Sequence, residues 1–277
     1  MKPVLKWAGG KRQLLTALTQ YITPARLEGH RYFEPFVGGG SVAFSLEHPW
    51  TTINDYNAEL INVYCIIRDQ PEELLVHLRN HAQNHCRDYY YLVRDEDRIA
   101  AYQQLPAVQR AARFIYLNKT CFNGLYRVNR QNHFNVPIGN AIEADIVQEE
   151  RIWEMHAYLN EPGVHITHGD FGDCVQNADA GDVVYFDPPY DYEEEGFNQY
   201  VINTFDRKDL QRLRDLSVEL IYRGCTVIIS NNDTGFVREA FADPVFNIHG
   251  IEAKRYINCK GDRRTGIREV IIYGHMN

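Results

Sequence analysis

The 277-residue chain has six cysteines and no C-x-x-C pair; they stand apart at 65, 86, 121, 174, 225 and 259. That scatter argues against a zinc finger or a disulfide framework, so reduced thiols are expected. No apolar run approaches the roughly 20 residues of a membrane-spanning helix. Lys6, Lys11 and Arg12 interrupt the start, which leaves no signal-like stretch. A soluble, cytoplasmic protein with no membrane attachment is the expectation. Internal repeats and low-complexity tracts are absent. Acidic residues are missing before Glu28 and again between Arg98 and Ile142, although the formal net charge is −8. Arg98, Arg110, Arg113, Lys119, Arg127 and Arg130 occupy the second acid-free stretch. A third basic run lies at 254–264, while Glu193, Glu194 and Glu195 carry acid elsewhere. The pattern fits a basic face on an acidic body, or simply solvated charge.

The opening K-W-A-G-G-K-R-Q-L-L raises the question of a phosphate loop. A Walker loop needs a glycine five residues before its final glycine and a hydroxyl after its lysine. Those positions hold Leu5 and Arg12, so the pattern is not met. Length favours one core with an inserted module.

Leu14, Leu15, Leu18 and Ile22 fall at helical spacing after this opening. R-Y-F-E-P-F-V then reads as a strand running into Gly38-Gly39-Gly40, S-V-A-F-S-L as a helix start, and T-T-I-N-D as a second strand ending in Asp55. Residues 58 to 118 are mostly helical in pattern. From Asn118 to Gly139 the chain is rich in Asn, Gly, Arg and aromatics and reads as turns and a hairpin. A helix is predicted around 145 to 159. V-H-I-T-H, D-V-V-Y-F, T-V-I-I-S and E-V-I-I-Y read as strands. Between them lies an amphipathic helix, capped by Asp206 and ended by Gly224. Strands alternating with helices at both ends predict a parallel α/β sheet, with the helical and hairpin-like middle inserted.

Two motifs carry chemistry. Asp187-Pro188-Pro189-Tyr190 follows the buried-type run V-V-Y-F, where ligands of open α/β sheets bind. The prolines lack N–H donors, Asp187 adds acceptor oxygens, and Tyr190 adds a flat ring. The set suits a planar group bearing an amino edge, such as adenine or cytosine. In F-E-P-F-V-G-G-G the glycines permit close approach of a ligand at a strand-to-helix turn. Asp55 stands seventeen positions after Gly38, a spacing that suits a carboxylate on ribose hydroxyls. G-x-G-x-x-G is not matched, because Ala43 holds the third position.

E-P-F-V-G-G-G-S-V-A-F, N-D-Y-N-A-E-L-I-N and D-P-P-Y, in that order, resemble the α group of DNA adenine-N6 methyltransferases. K-W-A-G-G-K-R is similar to that family's opening motif, and N-G-L-Y-R-V-N…F-N-V-P-I-G (123–139) resembles the recognition hairpin of Dam-type enzymes, which methylate GATC. The resemblance covers essentially the whole chain. It implies an α/β, Rossmann-like S-adenosylmethionine-dependent methyltransferase sheet with an inserted helical and β-hairpin target-recognition domain. The catalytic domain would comprise 1–56 and 145–277, and the insert 57–144. The resemblance places Trp7, Ala8, Lys11, Phe36, Gly38, Asp55, Asp170, Phe171 and Asp187 around S-adenosylmethionine. Asp187, Pro188 and Tyr190 would hold the target adenine, flipped out of the duplex. For recognition it implies Arg127 on guanine, Leu125 and Pro137 near a thymine methyl, and Asn123 on adenine or the backbone. Phe122 would fill the gap left by flipping, and Lys6 would contact the first guanine. Double-stranded DNA is the implied partner, and the chain is expected to be a monomer.

Departures from the pattern occur at Asn140-Ala141-Ile142-Glu143, where Dam-type chains continue with Arg-Tyr and basic residues, and after D-P-P-Y. There Glu193–Glu195 replace a Ser/Thr cluster, and a mobile loop facing away from phosphates is expected. The nearest rival activities are N6 methylation of RNA and N4 methylation of cytosine; N-G-L-Y-R disfavours the first and D-P-P-Y, rather than S-P-P-Y, the second. A catalytically silent DNA-binding scaffold is the rival from another class. His77, His81 and His85 share a helical face that reads as solvated or half-buried rather than metal-binding, and no metal is expected. Tyr89, Tyr90 and Tyr91 read as packing at a helix start, and Arg263 and Arg264 as a turn that either grips phosphate or is solvated.

Overall fold

A computed structural model describes residues 1–7, 12–140, 144–192, 205–252 and 268–276. The described strands form one seven-stranded sheet in the order β3-β2-β1-β4-β5-β7-β6. They are β1 (Tyr32–Glu34), β2 (Thr51–Asp55), β3 (His165–His168), β4 (Val183–Phe186), β5 (Thr226–Asn232), β6 (Phe246–Glu252) and β7 (Arg268–Gly274). The first five in space run parallel. The V-V-Y-F of β4 is buried throughout, as befits a central parallel strand covered on both faces.

The two remaining strands differ from the sequence expectation. β7 pairs antiparallel with β5, and β6 antiparallel with β7. The sequence pattern also predicts no strand at β6, where Asn247, His249 and Gly250 interrupt the apolar positions. An edge strand needs only one good face, so its pattern is weak.

The helices are α1 (Arg12–Leu18), α2 (Pro24–Leu27), α3 (Ala43–Leu46), α4 (Ala58–Asp69), α5 (Pro71–Asn84), α6 (Arg87–Asp95), α7 (Ala107–Thr120), α8 (Glu149–Leu159), α9 (Phe171–Cys174), α10 (Arg207–Tyr222) and α11 (Gly235–Ala240). Local chemistry sets their ends. Asn57 caps α4 by accepting from the N–H groups of Glu59 and Leu60, and Leu60, Val63, Tyr64 and Ile67 form its buried stripe. Asp206 and Asp209 form a reciprocal capping box at the start of α10. Gly224, at φ +93°, stops the chain past the end of that helix, as the sequence indicated.

Residues between β2 and β3 build the helical layer α4 to α7, the hairpin segment and α8. Val128 bridges Phe134 and Cys121 bridges Ile138, both antiparallel, so the expected hairpin exists without a regular ladder. One apolar cluster joins the sheet residues Tyr32, Ile53 and Tyr185 to Leu74, Ile115, Phe134 and Val136 of this layer. A second cluster, including Phe33, Phe171, Val184, Leu213 and Ile229, lies around α9 and α10. Among the described residues no helix is long and apolar enough to cross a membrane.

Candidate active site at the carboxyl ends of the parallel strands

The order of strands reverses between β1 and β4, and open α/β sheets bind ligands in the crevice at such a switch point. The glycine turn follows β1 and Asp187-Pro188-Pro189-Tyr190 follows β4, so the two motifs flank this crevice. Asp55 ends the neighbouring β2, and Asp170 follows β3.

Gly38 has φ +50°, a conformation that costs a side-chain-bearing residue. Its N–H donates to Asp55 Oδ2 at 3.0 Å, and its carbonyl accepts from the Tyr64 hydroxyl at 2.5 Å. A Cβ there would lie 2.8 Å from Trp7 Nε1, and one on Gly39 would lie 2.7 Å from Trp7 Cβ. The glycines therefore let the opening segment lie directly over the turn. Trp7 continues into a ring stack with Tyr126 (centroids 5.7 Å, 14° between planes) and Phe114 (6.4 Å, 14°). Burial raises the Asp55 carboxyl above its ordinary range, with the N–H groups of Asn57, Gly38 and Tyr56 opposing that rise. Tyr56, beside it, exposes 65% of its surface.

Asp187 is held from β5. Ser230 Oγ donates to Asp187 Oδ1 at 2.7 Å and lies 3.0 Å from the Tyr185 hydroxyl. Burial, then the neighbouring Asp187 and Tyr185, push the Tyr190 phenol well above its usual range, so it stays a neutral ring. Past Tyr190, the Asp191 N–H donates to Asn231 Oδ1 at 2.9 Å, and Asn232 Nδ2 donates to the Asp191 carbonyl at 2.6 Å. The Asp191 carboxylate accepts from Thr234 Oγ1 at 2.6 Å and Arg207 Nε at 2.9 Å. Strand β5 thus anchors both sides of the proline pair.

Asp170 caps α9 by accepting from the Gly172 N–H at 2.8 Å. Burial alone would raise its carboxyl; Arg212, at 2.6 Å, and that N–H outweigh burial and hold it below the ordinary range. The Arg212 guanidinium also lies 4.2 Å from the Phe171 ring centre. Phe36 stacks on Phe171 at 5.4 Å and meets Phe205 edge-on at 5.6 Å, giving a flat apolar wall beside Asp170.

In the hairpin segment, Phe122 and Asn123 form an exposed turn with Asn123 at φ +56°. The Phe122 N–H donates to the carbonyl of Pro137, itself exposed, at 2.9 Å. Leu125 is half-buried. Arg127 Nε donates to Asn135 Oδ1 at 2.7 Å, which sets the direction of its guanidinium. Lys6 is exposed next to this turn: a Cβ on Gly124 would lie 2.6 Å from Lys6 Cβ. Lys119, one turn away, is buried; burial first, and then Lys6 and Arg151, lower its ammonium to about 7.

Of the residues singled out from sequence, Phe36, Gly38, Asp55, Asp170, Phe171, Asp187, Pro188 and Tyr190 thus meet at the strand ends. Lys6, Phe122, Asn123, Leu125, Arg127 and Pro137 belong to the neighbouring loop cluster, and Trp7 lies between, against Gly38 and Gly39 on one side and stacked on Tyr126 on the other. Ala8, Lys11, Ala141–Glu143, Glu193–Glu195, the basic run 254–264 and Arg263–Arg264 lie outside the described residues. Two of the three histidines face tyrosines: His81 Nδ1 is 2.9 Å from the Tyr89 hydroxyl, and His85 Nδ1 is 2.9 Å from that of Tyr116. Tyr90 is buried at the start of α6. Ser230, Asn231, Arg212 and Asn118 were missed in the sequence. The signal for the first two was available: T-V-I-I-S-N-N ends an otherwise apolar buried strand in polar residues.

Residues 7–257 match the model of a family described as D12 class N6 adenine-specific DNA methyltransferase. The chain is 41% identical to the type II methyltransferase M1.LlaDCHI of Lactococcus lactis subsp. cremoris, over 100% of this chain and 96% of that one. It is 36% identical to the type II methyltransferase M.MjaIII of Methanocaldococcus jannaschii, over 99% of both chains. With the DNA adenine methylase of Escherichia coli it shares 30% identity, over 96% of this chain and 93% of that one. The chain belongs to the D12 class of N6 adenine-specific DNA methyltransferases.

Proposed function

We propose that this enzyme methylates N6 of adenine within GATC in duplex DNA, with S-adenosylmethionine as donor and the target base turned out of the helix. The observation that carries this reading is Asp187, oriented by Ser230 and followed by two prolines, at the end of the strand next to the one that bears the glycine turn, across the switch point.

The donor fits the residues present. Asp55 offers acceptors for ribose hydroxyls, Phe36 and Phe171 a wall for a flat base, and Asp170 an acceptor for its amino group. Trp7 and the glycine turn line the end nearer the target. When bound, S-adenosylmethionine supplies a methyl group on a sulfonium, which a nucleophile attacks in line.

The chain's own residues make adenine a competent nucleophile. The N6 lone pair is delocalised into the ring, which weakens it. Asp187 and the Pro188 carbonyl accept from the N6 amino group and favour a more localised pair. Tyr190 stacks on the base and restricts its angle of presentation, so much of the rate comes from positioning. Turning the base out costs a few kcal/mol, and Phe122 fills the space it leaves.

Readout of the site falls to the hairpin: Arg127 to guanine, Leu125 and Pro137 to a thymine methyl, Asn123 to adenine or the backbone, and Lys6 to the first guanine. The GATC assignment rests on the match of N-G-L-Y-R-V-N…F-N-V-P-I-G. Residues 1–56 and 145–277 form the catalytic unit in this reading, and 57–144 the recognition unit.

The test is product analysis. Duplex DNA treated with enzyme and donor is digested to nucleosides and separated by mass. N6-methyldeoxyadenosine is expected; N4-methyldeoxycytidine in its place would overturn the reading.

A further inference from the structure

Asn118, in the last turn of α7, is 2% exposed and spends its amide on the backbone of two separate segments. Its Oδ1 accepts from the Lys6 N–H at 2.8 Å, and its Nδ2 donates to the Lys6 carbonyl at 2.6 Å. The same Nδ2 donates to the Gly124 carbonyl at 3.2 Å. The side chain therefore grips both sides of one residue in the opening segment and the middle of the recognition turn. Gly124, at φ +64°, completes the seam by letting Lys6 pack against its bare α-carbon.

The two clamped pieces face different ligands. Trp7, next to the gripped Lys6 backbone, lies on Gly38 and Gly39 of the turn beside Asp55. Gly124 follows Phe122 and Asn123, the exposed turn at the base of the hairpin segment. A rigid side chain bonded to both makes displacement of one segment a displacement of the other.

We propose that Asn118 is a positioning residue that couples target recognition to the donor pocket. The idea rests on the assignments of Trp7 to the donor and of the hairpin to DNA given above. Ordering the hairpin on its site then orders residues 4–7 over the glycine turn, and donor binding orders the hairpin in return. Linkage requires the two effects to be equal. A serine or alanine at 118 leaves three backbone groups without this partner and removes the shared clamp.

The test measures the affinity of the unreactive product S-adenosylhomocysteine for the full-length enzyme, with and without a saturating GATC duplex. The wild type is expected to bind it roughly tenfold more tightly with DNA, within the usual range of coupling between sites. In Asn118→Ser and Asn118→Ala this ratio falls toward one, while the affinity without DNA changes less than the ratio does. An unchanged ratio in either folded variant, or a ratio of one in the wild type, overturns the proposal. A measurement on the wild type alone covers the case in which both variants misfold. Hydrogen exchange with duplex DNA alone is expected to slow at residues 4–7 as well as at 122–127. Protection confined to 122–127 refutes the coupling and spares the hairpin assignment; no protection at 122–127 refutes that assignment instead.

Discussion

Ser230 Oγ donates a hydrogen bond to Asp187 Oδ1 across the β4–β5 boundary at 2.7 Å, and the Tyr185 hydroxyl lies 3.0 Å from Ser230 Oγ. The three residues fix the carboxylate against the sheet. Ser230→Ala removes a donor to a charged acceptor, a bond worth about 1.5–3 kcal/mol. The expected loss in kcat is therefore roughly ten- to a hundredfold, with KM for DNA nearly unchanged. Asp187→Ala should abolish turnover while DNA binding persists. Equal turnover of Asp187→Ala and wild type would refute the assigned role.

Gly38→Ala should weaken donor binding more than it weakens folding. The left-handed backbone costs roughly 1–2 kcal/mol with a Cβ, and the added atom drives into Trp7 Nε1 at 2.8 Å. Tryptophan emission should shift as the ring moves. Titration with S-adenosylhomocysteine checks the affinity; wild-type affinity would show that Trp7 and its turn do not line the donor pocket.

Phe122→Ala removes an exposed ring, so stability should change by less than about 0.5 kcal/mol. Methylation of a fully paired duplex should fall. A mismatch opposite the target adenine should restore part of the rate, because an unpaired base leaves the stack more readily. A uniform loss on paired and mismatched duplexes would remove Phe122 from the flipping step.

Arg127→Ala should cost about 1–3 kcal/mol of discrimination between the recognised site and its one-base variants. Competition between duplexes under one salt condition measures it. An equal fall in affinity for every duplex, with a shallower salt dependence, would make Arg127 a phosphate contact.

His81 makes stability depend on pH. Burial, then His77 and Arg113, lower its imidazole from 6.5 to about 4. The folded state favours the neutral ring, so its contribution is complete above 6.5 and is lost as pH falls toward 4. His81→Phe should flatten the decline in urea midpoint across that window. An unchanged slope would assign the decline to other groups.

The motif-bearing strand ends were legible because their signals are local: a glycine triplet, an acid seventeen residues on, and two prolines after a buried run. Helix α10 was legible for the same reason, through Asp206 and Gly224. Asn118 was not, because its partners lie 112 residues back and 6 residues on, and nothing near an asparagine in a helix announces a long-range clamp. The polar end of T-V-I-I-S-N-N marks Ser230 in the sequence, but not its bond to Asp187, which spans 43 residues. Strand β6 escaped because an edge strand carries only half a pattern, and its antiparallel pairing depends on β7 rather than on its own residues. Lys119 read as one more basic residue of an acid-free stretch; only its packing shows it buried.

Methyl transfer from tritiated S-adenosylmethionine tests the central claim most directly, with three duplexes: one holding GATC, one with a single base of that site changed, and one with no such site. Label on the GATC duplex alone is the expected result. Label on none of the three contradicts DNA methylation by this chain, and label on the changed duplex alone contradicts GATC.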